Sequence, residues 1–236
     1  MFTKSEAFYD AIYGTMKDYE KEAQQIHEVI QRYKQSPGNA LLDVACGTGA
    51  HLAFLQRDYT VEGLDLDEEM LAIARRRNPG VTFHHGDMAV FDLEHTFDVV
   101  MCLFSSIGYM KTLPRMRQAL QTMRRHLNLG GVLLIEPWLA PEAYKVGHLS
   151  ATLVNQPDLK IARMNKGEIE GRVSVMNFHY LVATPEGIEH FTELHELGLF
   201  SHEEYLDAFR ASGLDVVHDS DSEKLTGRGL YIGVAR

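Results

Sequence analysis

Cysteine is nearly missing: the 236-residue chain holds only Cys46 and Cys102, each beside apolar residues in segments that read as strands. Two such thiols build neither a disulfide framework nor a zinc site, and they point to a reducing compartment. Long apolar runs are missing too, since none approaches the ~20 residues of a membrane-spanning helix. The opening residues Met1-Phe-Thr-Lys-Ser-Glu carry no apolar leader core. The expectation is a cytoplasmic protein that crosses no membrane. Positive charge is scarce, with 23 Lys and Arg against 33 Asp and Glu and a net charge of −10. That balance argues against a polyanion, and so against nucleic acid, as the main partner. The basic runs Arg75-Arg76-Arg77 and Arg124-Arg125 close expected helices, where they complement the negative end of the dipole. The 12 histidines contain no H-E-x-x-H. His84 and His85 are adjacent on a strand, and His190 and His195 are an odd number of residues apart, so each pair alternates faces and no metal is expected.

What is present is organised around Asn39-Ala-Leu-Leu-Asp43-Val-Ala-Cys-Gly47-Thr-Gly49-Ala-His51-Leu-Ala-Phe-Leu55. An apolar run ending near an acid breaks into a Gly-rich turn, after which the apolar period changes from two to about 3.6 residues. Gly47 and Gly49 allow close backbone approach to a ligand, and the N–H groups opening the next helix offer donors to an anion. A dinucleotide fingerprint needs three glycines as G-x-G-x-x-G, but Ala45 holds the first position here and no third glycine follows. The string LDVACGTG instead resembles motif I of the class I S-adenosylmethionine (SAM) methyltransferases. The later landmarks keep that order: Val61-Glu-Gly63-Leu-Asp65 ends in an acid 16 residues after Gly49, and Val81 to Met88 is a third strand followed by Gly86-Asp87.

The chain in order predicts an N-terminal helical lid over residues 1–36, with Tyr9, Tyr13 and Lys17 as its cofactor-facing candidates. Strands and helices then alternate at the cadence of right-handed βαβ units and a parallel sheet, whose ligands bind beyond the carboxyl ends of the strands. Asp67 opens a helix that Asn78-Pro79-Gly80 ends. Phe97 to Leu103 is a doubly buried strand, Lys111 to Leu127 a helix, and Val132 to Ile135 a strand ending in Glu136-Pro137-Trp138. Between residues 145 and 200 the period becomes two, with turns at Pro157-Asp158, Lys166-Gly167, Glu170-Gly171 and Pro185 to Gly187, which reads as an inserted antiparallel meander. Ser201 and Glu204 form a capping box, and two last strands follow it. The fold class is therefore α/β, a Rossmann-like class I methyltransferase sheet with an inserted antiparallel β meander, in a single domain spanning 1–236.

SAM carries a sulfonium, an adenosine and an amino acid head. Asp65 can accept both ribose hydroxyls, Asp87 can take the adenine amine with Met88 against the ring, and Asp43 can hold the turn or the amino group. Motif I places Gly47 and Gly49 at the methionine end, and the resemblance adds Ala45, Leu66, Met70, Leu103 and Phe104 to the cofactor set. Methyl transfer needs in-line positioning above all. Tyr109, Glu136 and His179 are the candidates to orient an acceptor or relay its proton.

The blocks FYD, LLDVACGTG, MLAIARRRNP, HHGDM, FSSIGY, EPW, HYLVA and TGRGLY resemble the SAM-dependent N,N-dimethyltransferases acting on dTDP-linked 3-amino-deoxysugars in macrolide sugar biosynthesis (desosamine, mycaminose), from about Tyr9 to Val234. This resemblance implies that Ser106 and Tyr109 line the sugar pocket, that Glu136 and Trp138 flank it, and that Arg228 reaches the nucleotide diphosphate. A guanidinium between two glycines also has the access and the fork geometry for phosphate. The chain departs from the family where Leu139 follows Trp138 in place of a second Trp, and where Thr226 replaces Ser. Three readings stay open: N-methylation of a nucleotide-linked aminosugar or similar amine, O- or C-methylation of another small metabolite, and a non-catalytic SAM-binding module. A homodimer built on the meander is expected, because its edges and apolar faces would otherwise stay open.

Overall fold

Phe97-Asp-Val-Val-Met-Cys102 is buried at every position, and it forms the strand on which the rest of the sheet is laid. The computed structural model describes residues 5–220 and 227–236. Its strands are β1 (Ala40–Val44), β2 (Thr60–Asp65), β3 (Thr82–His85), β4 (Phe97–Cys102), β5 (Leu127–Ile135), β6 (Leu149–Gln156), β7 (Leu159–Glu170), β8 (Val173–Thr184), β9 (Gly187–Gly198), β10 (Leu214–Asp219) and β11 (Leu230–Ala235). Helices are α1 (Tyr9–Tyr13), α2 (Tyr19–Tyr33), α3 (Leu52–Leu55), α4 (Glu68–Arg77), α5 (Leu113–Arg125) and α6 (His202–Ala211), with 3-10 turns at Glu6–Phe8 and Ser106–Met110.

The main sheet has the order β10-β11-β5-β4-β1-β2-β3. Strands β1 to β5 pair in parallel, while β11 and β10 run antiparallel at one edge. The order reverses between β1 and β4, and a crevice opens there beyond the strand ends. Alternate residues of each strand feed opposite cores. Leu42, Val44, Val100, Cys102 and Leu133 pack with Met116, Leu120 and Phe209 of α5 and α6. Leu41, Val99, Met101 and Leu134 pack with Ala23, Ile26 and Ile30 of α2 and Leu52 of α3. Each fully buried aliphatic or aromatic side chain contributes about 1.5–3 kcal/mol.

The meander is a second sheet, β6-β7-β8-β9, antiparallel throughout. Its inner face joins α1 through Ile12, Val154, Ile161, Tyr180 and Val182. Three details differ from the sequence expectation. Lys166-Gly167 is not a turn but lies inside β7, where a Cβ on Gly167 would sit 2.9 Å from the Tyr144 hydroxyl. The α5 helix stops at Arg125, and β5 already begins at Leu127, with a register irregularity opposite Phe97 to Val99. The helix after the Gly-rich turn is a single turn, so it supplies little dipole to a ligand.

Candidate active site

The cradle is a left-handed turn built at the end of β1. Ala45, Gly47 and Gly49 have φ of +60°, +54° and +66°, values that cost an L-residue free energy and favour glycine. Gly49 is required on a second count, since a Cβ there would meet the Asn78 amide nitrogen at 2.7 Å. Asp65, at the end of β2, ties the turn down: Gly47 N–H donates to its Oδ2 at 2.7 Å and Asp67 N–H to its Oδ1 at 2.9 Å. Burial raises the Asp65 carboxyl above its ordinary value, against the pull of those backbone donors. Asp67 then caps α4, accepting from Glu69 and Met70 N–H. Asp43 is buried one strand over, its carboxyl pushed well up by burial and by the nearby Asp65.

Three adjoining cavities open above these strand ends. One of about 190 Å³ is walled by Leu66, Met70, Met88 and Met110, with Asp65 and Asp87 at its polar margin. A smaller one of about 40 Å³ touches Asp43, Gly47, Thr48, His51 and Lys17. The largest, about 540 Å³, lies between the main sheet, the N-terminal segment and the inner face of the meander. Tyr9 and Ser106 line all three, so the cavities meet at those two side chains.

The chain strains its backbone where β4 enters the largest cavity, with Phe104 and Ser105 both left-handed at φ +51° and +64°. Glu136, at the end of β5, stabilises that corner by accepting from Phe104 N–H at 2.6 Å. Its other oxygen receives Arg228 at 3.1 Å, and the same guanidinium nitrogen donates to Ser105 Oγ at 2.7 Å. Burial raises the Glu136 carboxyl, with the Lys17 and Arg228 cations opposing. The Arg228 guanidinium stands 5.0 Å over the Trp138 ring, whose indole N–H donates to Ser174 Oγ at 2.9 Å. Across the cavity Arg163 donates to Tyr13 Oη at 2.9 Å and lies between the Tyr13 and Phe178 rings. Lys17 pairs with Glu22 at 2.8 Å and stands 4.2 Å over Phe104, while His51 reaches the same Glu22 oxygen at 2.8 Å.

Comparison with known proteins decides what this arrangement is. Residues 41–131 match a methyltransferase domain model. The chain is 41% identical, over 96% of its own length and 89% of the relative's, to dTDP-3-amino-3,6-dideoxy-alpha-D-glucopyranose N,N-dimethyltransferase of Streptomyces fradiae. The chain belongs to the dTDP-aminodeoxysugar N,N-dimethyltransferases. The crystal structure of DesVI from Streptomyces venezuelae matches all of both chains with a TM-score of 0.92 at 38% identity. The SAM-bound amino pentose methyltransferase CalS10 from Micromonospora echinaspora, involved in calicheamicin biosynthesis, matches all of this chain and 98% of its own with a TM-score of 0.87 at 39% identity.

This methyltransferase is SAM-dependent, and its residues fit the cofactor. Asp43 is a buried carboxylate engaged in no ion pair among the described residues, and it lines the smallest cavity, as an amino acid ammonium requires. The apolar box of Leu66, Met70 and Met88 suits a purine, and Asp65 borders it. Tyr13, Lys17, Ala45, Gly47, Leu103 and Phe104 all border at least one of the three cavities, whereas Gly49 borders none of them and faces Asn78 behind the turn. Asp87 lies at the box, but there it already receives Arg115 at 2.7 Å and Ala89 N–H at 2.8 Å.

Ser106, Tyr109, Glu136, Trp138 and Arg228 converge on the large cavity. His179 does not. It lies on the outer face of the meander, exposed, with its ring stacked on His190, because period-two alternation turns it away from Phe178 and Tyr180. The histidine that reaches the cavity is His195, whose Nδ1 is hydrogen-bonded to Tyr109 Oη at 2.6 Å. Glu22, Arg163 and His195 carry no motif. Only the strand register, which pairs His195 with Met176 and Arg163 with Tyr180, could have singled out the last two.

Proposed function

We propose that this methyltransferase N-methylates the amine of a dTDP-linked amino-deoxysugar. The observation that carries the proposal is that three cavities share the lining residues Tyr9 and Ser106, which sets the two pockets bordered by the strand-end acids beside a larger one of about 540 Å³. When bound, SAM supplies a methyl group on a positively charged sulfur. The protein's own part is to hold an acceptor nitrogen in line and keep water out. Tyr9, Tyr13, Phe104, Trp138 and Phe178 make the apolar walls for a deoxysugar. In a chain of net charge −10, the same cavity gathers Lys17, Arg163 and Arg228, a cation set suited to a diphosphate. The family relatives act, by their names, on dTDP-aminosugars. Within this reading the N-terminal segment expected over 1–36, of which residues 5–36 are described, acts as a lid on the single domain and residues 145–200 as the acceptor-side wall.

The same reading takes the enzyme as a cytoplasmic homodimer. Among the described residues no helix is long and apolar enough to cross a membrane, and Cys46 and Cys102 are free thiols. Dimerisation is supported by Leu149, Leu153, Met164, Leu181 and Leu194, each at least half exposed on the outer face of the meander. Incubating the enzyme with SAM and a panel of dTDP-aminosugars, with mass spectrometry for one and two added methyl groups, tests the assignment. Methylation only of oxygen or carbon acceptors would overturn it.

A further inference from the structure

The inner face of the meander carries a chain of titratable groups that no step above uses. Tyr109 Oη and His195 Nδ1 share a hydrogen bond at 2.6 Å. The other ring nitrogen, Nε2, faces Glu193 Oε2 at 3.8 Å, and the Glu193 and His195 side chains are 0% and 5% exposed. Ser5, at the start of the N-terminal segment, holds both oxygens of that carboxylate, donating from its N–H at 2.9 Å and its Oγ at 2.6 Å. Tyr109 is the end of the chain that touches both the large cavity and the apolar box.

We propose that Tyr109, His195 and Glu193 form a relay that takes the proton of the acceptor nitrogen, with His195 as the base and Glu193 as its positioning residue. The proposal rests on the amine acceptor argued above. The N–H bond breaks as its proton passes to Tyr109 Oη and its electron pair stays on nitrogen. At the same time the Tyr109 proton passes to His195 Nδ1, so the phenol ends neutral and the charge resides on an imidazolium facing the Glu193 carboxylate. A nitrogen that has taken one methyl group as an amine is left protonated, and it must lose that proton before it can take a second.

The groups around the ring suit this role. Burial holds the His195 imidazole below its ordinary value, against the pull of the Glu193 carboxylate 3.8 Å away, while the Arg163 cation on β7 pushes the same way as burial. The ring is therefore neutral near pH 7 and able to accept a proton. Burial also raises the Tyr109 phenol, as do Tyr13 on the N-terminal segment, Tyr180 on β8 and Glu193 on β9, so it keeps its own proton until it receives another. Phe178 packs its ring edge-on against His195 at 5.3 Å, on the same inner face as Tyr180.

The test is His195→Asn, whose side-chain oxygen can still accept from Tyr109 but cannot hold a proton. Expected are a kcat lower by about 10²-fold, the scale of one general base, loss of the rising limb of kcat against pH, and accumulation of monomethylated product. SAM affinity stays within about twofold, since His195 lines neither cofactor cavity. Glu193→Gln should move that limb to lower pH, because the imidazolium loses its counter-charge. An unaltered pH profile and product ratio in His195→Asn would overturn the relay. Should either variant fail to fold, 15N spectra of the wild-type histidines decide: the relay requires the Nε2–H tautomer of His195, and an Nδ1–H tautomer refutes it. A wild-type enzyme that methylates no dTDP-aminosugar would overturn the acceptor assignment instead, and the tautomer would still judge the relay.

Discussion

Asp43, Asp65 and Glu136 are carboxyls that burial holds above their ordinary values at the ends of β1, β2 and β5. An acid with a raised folded pKa binds more protons folded than unfolded, so stability falls as pH rises from the ordinary carboxylate value through the raised one. Asp43→Asn should therefore raise the Tm of the SAM-free protein, by about 2–4 °C per kcal/mol recovered, and the gain should grow with pH in scanning calorimetry. The same variant should bind SAM more weakly. Asp65→Ala should weaken SAM by about 1.5–3 kcal/mol in titration calorimetry, the scale of hydrogen bonds to a charged acceptor, and it also frees the Gly47 turn that Asp65 holds. Arg228 borders the large cavity and neither cofactor pocket. Arg228→Ala should raise the acceptor KM by about ten- to a hundredfold with SAM affinity nearly constant, and Arg228→Lys should recover part of the loss. Because the Ala variant strands the buried Glu136, adding Glu136→Gln should restore stability but not KM. The left-handed turn at Gly47 and Gly49 and the strand-end position of Asp65 were legible in the sequence because a local motif carries them. His195 was not, since a histidine in a strand declares its face only through the register of its neighbours, and the one residue of parity that separates His179 from Phe178 reverses the assignment.

The N-terminal segment is the element on which the site depends most, and it is clamped from two sides. On the cradle side, Arg77 of α4 donates to Thr48 Oγ1 at 2.7 Å and pairs with Asp10 of α1, while Thr48 donates to Asp10 at 2.9 Å. On the meander side, Arg163 holds Tyr13 and Glu193 holds Ser5. Arg77→Ala removes the first clamp, and it should raise the SAM dissociation constant severalfold and speed proteolysis within residues 5–17. Glu22 adds a pH-sensitive contact. Burial pushes its carboxyl up, but hydrogen bonds from His51 and Lys17 outweigh this and hold it below its ordinary value. A depressed folded pKa gives stability that is complete above the unfolded value and is lost as pH falls through the folded one. Hydrogen exchange in α2 should accordingly rise below about pH 4, and Glu22→Gln should remove that dependence. The helices and strands themselves were legible from apolar period. The one-turn α3 and the uninterrupted β7 were not, because Gly167 answers to the distant Tyr144 and not to a local turn.

For the whole molecule, the meander has two faces with different fates. The inner one is covered by α1 and lines the cavity. The outer one shows Leu149 and Leu153 on β6, Met164 on β7, Leu181 on β8 and Leu194 on β9, with exposures from 50% to 74%. These residues share the face because register pairs Leu153 with Ala162, Ala162 with Leu181 and Met164 with His179. Exposed apolar side chains grouped on a water-facing sheet support the proposed homodimer, in which a second copy would offer the matching patch through a two-fold axis. A stable pairing buries about 1,200–2,000 Å² in total, within reach of a sheet whose longest strands run 12 residues. Leu153→Lys together with Leu181→Lys should convert the proposed dimer to a monomer in sedimentation velocity at micromolar concentration. Because both side chains point away from the cavity, kcat of that monomer should stay within about twofold of the parent. A wild-type protein that already sediments as a monomer would refute the dimer, and a dissociated variant with kcat collapsed would show that pairing supports the inner wall of the site.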